Sequence, residues 1–201
     1  MKTVVINAGP KRKDINAQIA KSALKGAESS NSEVEYVDLY KLDLCGCRNC
    51  QICKKEGMAC KCYWRDEISP LIDRILDADC LLIAVPIFFT EPTSHYRALI
   101  ERLIFCMVSY DVGNAFKGKV NVGLFYTVNY DVNYFEESVR PNLKSSEDIL
   151  KMLNGELKIM SFGNISQNIY NSEDELSLTQ KEKQLTHDLQ IAFDIGAELS
   201  H

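Results

Sequence analysis

Six of the chain's eight cysteines, Cys45, Cys47, Cys50, Cys53, Cys60 and Cys62, crowd into residues 45–62. In a reducing compartment thiols stay reduced, so such a cluster points to metal or redox chemistry before structural disulfides. The run Cys47-x2-Cys50-x2-Cys53-x6-Cys60 offers three closely spaced thiols and a fourth, with Cys62 as the alternative fourth ligand. It suits a cubane [4Fe-4S] cluster, because each of four irons takes one thiolate. Structural zinc more often uses two cysteine pairs separated by a longer stretch, which makes zinc the lesser reading. Cys45 reads as an extra loop thiol. Cys80 and Cys106 lie in apolar runs, where a free cysteine packs as a small hydrophobe.

Two other segments carry chemistry. Gly9, Lys11, Arg12, Lys13 and Asn16 stand immediately before a helix start, where free backbone N–H groups and the helix dipole favour an anion. Phosphate is the natural guest and a solvated basic turn the bland alternative; neither Gly-x-Gly-x-x-Gly nor Gly-x-x-x-x-Gly-Lys-Ser/Thr is present. Pro86-Ile87-Phe88-Phe89-Thr90 places two aromatics at the end of an apolar run. They would flank a flat ring, or simply finish the core. His95, His187 and His201 are scattered without triad spacing, so hydrolysis is not expected. His95 is expected to be solvated at a helix start, and Asp66 and Glu67 to cap and charge a helix terminus.

The elements that must position these groups follow from periodicity. Residues 3–8 form a β-branched first strand, and Ile15, Ile19, Ala20, Ala23, Leu24 and Ala27 recur at helical spacing behind a cap at Asp14 or Asn16. Val34 to Leu39 is a second strand, and a cysteine-rich loop spans 41–65. Ser69-Pro70 reads as N-cap and N1 of a helix. Cys80 to Val85, stopped by Pro86, is a central strand covered on both faces. A helix over 96–108, a strand over 120–126, a helix near 147–153, a strand over 157–162 and a helix over 179–199 complete an alternating order; residues 131–144 show no clear period. The expected fold is α/β: one domain over 1–201, a three-layer doubly wound sandwich with a five-stranded parallel sheet. Ligands of such sheets bind beyond the strand carboxyl ends at the topological switch point. There the loops after the first, third and fourth strands converge, the last contributing Thr127 and Asn129.

The chain has 201 residues, 46% hydrophobic and 25% charged, with net charge −5. No global basic field exists to hold nucleic acid or an anionic membrane. The longest apolar run falls short of the ~18 residues a spanning helix needs. The first residues lack a secretory pattern, so a cytoplasmic location is expected.

The pattern Val5-Ile6-Asn7-Ala8-Gly9-Pro10-Lys11-Arg12, the cysteine segment, Asp66-Glu67-Ile68 through Ala78-Asp79, and Val85-Pro86-Ile87-Phe88-Phe89 together resemble the NAD(P)H-dependent FMN reductases of the flavodoxin-like superfamily. Within it they resemble the iron–sulfur flavoprotein branch, and the flavodoxin-like resemblance implies the strand order 2-1-3-4-5. The likeness covers about residues 1–130, and the last helix resembles that branch's closing helix. It implies FMN, with Gly9, Lys11, Arg12, Asn16 and Ala17 at the phosphate, Pro86, Ile87, Phe88, Phe89 and Thr90 at the ring, and Thr127 and Asn129 nearby. Catalysis would rest on flavin N5, with no side-chain acid or base. The implied activity is hydride transfer from NAD(P)H to flavin, then electron transfer to a small-molecule or protein acceptor. The alternatives are an electron carrier holding a [4Fe-4S] cluster on Cys47, Cys50, Cys53 and Cys60, and a metal-binding module that has lost its flavin. Counted back from Asp66, Cys62 lies where the branch's last cysteine falls. Serine and threonine are usual where Gly9 and Ala17 stand, and glycines are usual near Thr90 and after the fourth strand. A homodimer or homotetramer is implied, because in this family a cluster approaches a flavin across a subunit interface.

Overall fold

The computed structural model describes residues 1–163 and 175–201. Strand β1 (Lys2–Asn7) pairs in parallel with β2 (Glu33–Asp38) on one side and β3 (Cys80–Phe88) on the other. β3 pairs with β4 (Val120–Thr127), and β4 with β5 (Asn154–Phe162). The order is therefore 2-1-3-4-5, as the flavodoxin-like resemblance implies. β3 is buried from Cys80 through Ile87, which is why it reads as an unbroken apolar run.

Alternate residues of each strand face opposite layers. Val5, Leu82, Ala84 and Phe125 pack under α1 (Ile15–Ser29) and the closing helix, Glu175–Leu199, through Ile19, Ala23 and Ala192. Ile6, Leu81, Ile83 and Leu124 pack under α2 (Ile68–Leu76) and α3 (Ser94–Met107) through Ile72, Leu99 and Leu103. Each such fully buried aliphatic contributes about 1.5–3 kcal/mol.

α1 and the closing helix approach backbone to backbone: a Cβ at Gly26 would lie 2.0 Å from the Phe193 carbonyl oxygen, and one at Gly196 2.1 Å from that of Ala23. Gly26→Ala is therefore expected to lower stability by about 1–3 kcal/mol, although alanine is the better helix former by about 1 kcal/mol. Urea unfolding decides the sign; a gain in stability would contradict this packing.

One local detail departs from expectation, and one settles an open choice. Ser69 does not cap α2: the Asp66 carboxylate accepts the N–H groups of Ile68 (3.1 Å) and Ser69 (3.2 Å), and Ser69 lies inside the helix. A carboxylate two residues upstream is the stronger partner for the positive helix end. At α1, Asp14 caps and Asn16 sits within the helix. The stretch without clear period winds through short helical turns to Leu143, then helix α4 (Lys144–Asp148) and a 3-10 turn to Leu153. Phe135, Val139, Leu143 and Leu150 pin it to the sheet. Among the described residues no helix is long and apolar enough to cross a membrane.

Candidate functional site

A buried polar network joins the carboxyl ends of β1, β3 and β4 to the start of α1. Asn7 Oδ1 accepts the Gly9 N–H (3.0 Å) and Asn16 Nδ2 (2.8 Å), while Asn7 Nδ2 donates to Asp38 Oδ1 and the Lys11 carbonyl, each at 3.0 Å. Asn16 Nδ2 also donates to the Ala84 carbonyl (3.0 Å), and its Oδ1 accepts the Thr127 hydroxyl (2.9 Å). Both asparagines are buried, where an unpaired polar group would cost about 1–3 kcal/mol. Four strands, Asp38 bringing in the end of β2, and one helix start are thereby fixed against each other.

Over this floor lies a cavity of about 230 Å³, walled by Pro10, Lys11 and Asp14, by Pro86, Ile87 and Phe88, and by Thr127, Val128 and Asn129, with Ile15 and Asn16 below. The N-terminus of α1 opens onto it, and Lys11, Arg12 and Lys13 are exposed around it. Asp38 stands beneath with Arg12 Nε 3.7 Å from its carboxylate. Burial alone would raise this carboxyl, but the hydrogen bond from Asn7 and the ammonium of Lys41 hold it below the usual range. Asp14 works against an anion, because its Oδ1 already accepts the Ala17 N–H at 3.0 Å.

β3 ends in a hairpin, Phe88 pairing with Glu91 and Ile87 with Pro92. The two turn residues, Phe89 and Thr90, have φ of +50° and +67°, a left-handed pair that usually takes Asn-Gly. A β-branched residue pays about 1–2 kcal/mol for that conformation. Thr90→Gly is expected to raise stability by about 1 kcal/mol, read as a higher thermal midpoint; a fall would show that the Thr90 side chain holds the turn. Phe88 is 45% exposed and Phe89 fully exposed, so neither finishes the core.

The cysteine segment packs on α3. Cys47, Cys50, Cys53 and Cys62 line one narrow pocket with Arg102, Phe105 and Cys106. Burial pushes the Cys53 thiol up, opposed by Lys54 and reinforced by neighbouring Cys50, Cys62 and Cys47. Cys60 lies outside the pocket: its φ is +60°, its N–H donates to the Cys106 carbonyl (2.8 Å), and after burial its thiol feels Lys117 and Lys54. Among the described residues no three His, Cys, Asp or Glu side chains surround a point suited to a single metal ion. Between the thiols and the hairpin runs a groove of about 620 Å³ along α3, with Cys47, Glu91 and Pro92 in its walls. His95 is not simply solvated, since its ring stacks on Tyr40 at 3.7 Å between centroids.

Residues 1–147 match the family described as NADPH-dependent FMN reductase. The chain belongs to that family. An iron-sulfur flavoprotein of Methanocaldococcus jannaschii is 24% identical over 123 residues, 61% of this chain and 62% of that protein, so the match spans less than two thirds of the relative. An NAD(P)H:quinone oxidoreductase from Methanothermobacter marburgensis shares the fold with a TM-score of 0.76 at 14% identity, over 99% of this chain and 98% of that one. An FMN-dependent NADH-azoreductase from Bacillus anthracis, in complex with FMN, matches with a TM-score of 0.71 at 14% identity over 100% of both chains.

In this FMN reductase family member, seven residues singled out from the sequence line the 230 Å³ cavity: Lys11, Asn16, Pro86, Ile87, Phe88, Thr127 and Asn129. Gly9, Arg12, Ala17, Phe89 and Thr90 do not line it. Gly9 N–H is bound to Asn7, Ala17 N–H to Asp14, and Phe89 and Thr90 form the exposed turn. The Asn16 carboxamide is fully engaged by protein, so its role is to hold the loops. Sequence reasoning missed Asn7, whose signal was an amide closing a β-branched run, and Arg102, whose signal was a cation set among Leu99, Ile100, Leu103 and Ile104 of α3.

Proposed function

We propose that this chain is an FMN-dependent oxidoreductase that takes hydride from NAD(P)H and passes electrons to a second acceptor. The observation that carries this reading is the convergence of three strand-end loops on one cavity at a basic helix N-terminus. The residues fit the group in kind: the start of α1 with Lys11 and Arg12 would hold the phosphate, and Pro86, Ile87, Phe88, Val128 and Asn129 the ring. Bound FMN would supply the two-electron chemistry, leaving the chain to position and tune it. Asn7, Asn16 and Thr127 keep the loops registered. Phe88, nearly half exposed on the cavity wall, shields the ring edge from water. The test is an anaerobic titration of the FMN-loaded chain with NADH and with NADPH. Bleaching of the flavin bands by either supports the proposal, and bleaching by neither overturns it.

The thiol pocket favours a second component, a [4Fe-4S] cluster on Cys47, Cys50, Cys53 and Cys62 acting as an electron carrier. The donor set fits in kind, because Cys47, Cys50, Cys53 and Cys62 all line one pocket and each iron of such a cluster takes one thiolate. The groove along α3 has Cys47 and the hairpin residues Glu91 and Pro92 in its walls, and is the face proposed for pairing of two chains. A homodimer or homotetramer is the assembly this reading requires.

A further inference from the structure

We propose that Arg102 sets the reduction potential of the group held by the four thiols, through a direct hydrogen bond to the Cys62 sulfur. This rests on the cluster reading above and concerns a residue that binds no iron. Arg102 is 1% exposed on α3, and its Nη2 lies 3.2 Å from Cys62 Sγ. The two N–H groups of the same nitrogen are shared among Cys62 Sγ, Asp66 Oδ1 (2.9 Å) and Ser69 Oγ (2.8 Å). Nη1 donates to the Cys45 carbonyl (3.2 Å) and to Asp66 Oδ2. Both ends of the fork are thus fixed, and the guanidinium cannot swing away from the sulfur.

A guanidinium never loses its proton in a protein. Reduction adds one electron to the thiolate-ligated group, and a buried positive N–H on a ligand sulfur stabilises that extra charge. Hydrogen bonds to sulfur and local net charge are the protein's main controls on such potentials. Asp66 partly offsets the guanidinium while orienting it. The two residues therefore act with opposite sign on the potential, although both hold the same loop.

The experiment is a dye-mediated potentiometric titration of anaerobically purified holoprotein, with dithionite as the electron donor and iron and sulfide assayed on each sample. Arg102→Gln is expected to lower the reduced-to-oxidised ratio at a fixed ambient potential at least tenfold, about 59 mV for a one-electron couple. Asp66→Asn keeps an oxygen for the α2 cap and is expected to move the potential the other way. Arg102→Lys, which keeps the charge and loses the fork, is expected to fall between wild type and Arg102→Gln. An iron-loaded Arg102→Gln with unchanged potential, or Asp66→Asn shifting in the same direction as Arg102→Gln, overturns the inference. Should Arg102→Gln fail to fold, Asp66→Asn and Arg102→Lys decide by the same signs. Wild-type protein without iron and sulfide would overturn the underlying cluster reading, an outcome distinct from iron present and potential unmoved.

Discussion

Cys62→Ser is expected to reduce the iron of anaerobically purified protein from about four atoms per chain to less than one, while Cys60→Ser leaves it nearly unchanged. The two cysteines are two residues apart, so spacing alone separates them poorly. Their surroundings differ. Cys62 lines the pocket with Cys47, Cys50 and Cys53 and receives a charged hydrogen bond from Arg102. Cys60 adopts a left-handed conformation, with its N–H tied to Cys106, and lies outside that pocket. A serine hydroxyl is a poor substitute for thiolate toward iron, so losing one of four ligands should labilise the whole cluster. Iron and sulfide assays on the two variants read the outcome directly. Loss of iron in Cys60→Ser with retention in Cys62→Ser would reverse the assignment.

The second large effect concerns the anion end of the cavity. Lys11→Gln combined with Arg12→Gln is expected to weaken FMN binding about 10- to 100-fold. Two cations near a doubly charged phosphate are each worth on the order of 1 kcal/mol in a water-rich setting. The affinity of the wild-type chain should fall as salt is added, and that dependence should flatten in the double variant. Asp14→Ser should do the opposite. Serine also caps a helix, so the Ala17 N–H keeps a partner while a negative charge leaves the cavity wall. A roughly three- to tenfold gain in affinity is expected, and fluorescence titration with FMN measures both changes. Unchanged affinity in the double variant would remove the phosphate from this loop.

Much of this was legible in the sequence, because parallel strands buried on both faces write themselves as apolar runs. Cys80 to Val85 marked the centre of the sheet, the alternation of strands and helices gave the doubly wound layers, and the order 2-1-3-4-5 came from the family resemblance. The Gly9 to Asn16 loop announced its place by basic residues before a helix. Contacts set by long-range geometry were not legible. Asp66, expected as a helix cap, also pairs with Arg102 of α3, a relation spanning 36 residues with no local pattern. The carboxamide of Asn16 is consumed by Asn7, Ala84 and Thr127, so it braces the site where composition alone would make it a ligand. Phe88 and Phe89 are neighbours in sequence, yet the left-handed turn leaves Phe88 on the cavity wall and Phe89 in solvent.

The most direct test of the central claim is the visible spectrum of protein purified without oxygen, with iron and acid-labile sulfide measured on the same sample. The account predicts oxidised-flavin bands, as isolated or on addition of FMN, together with about four irons and matching sulfide per chain. A chain that shows no flavin bands and does not take up added FMN would contradict it.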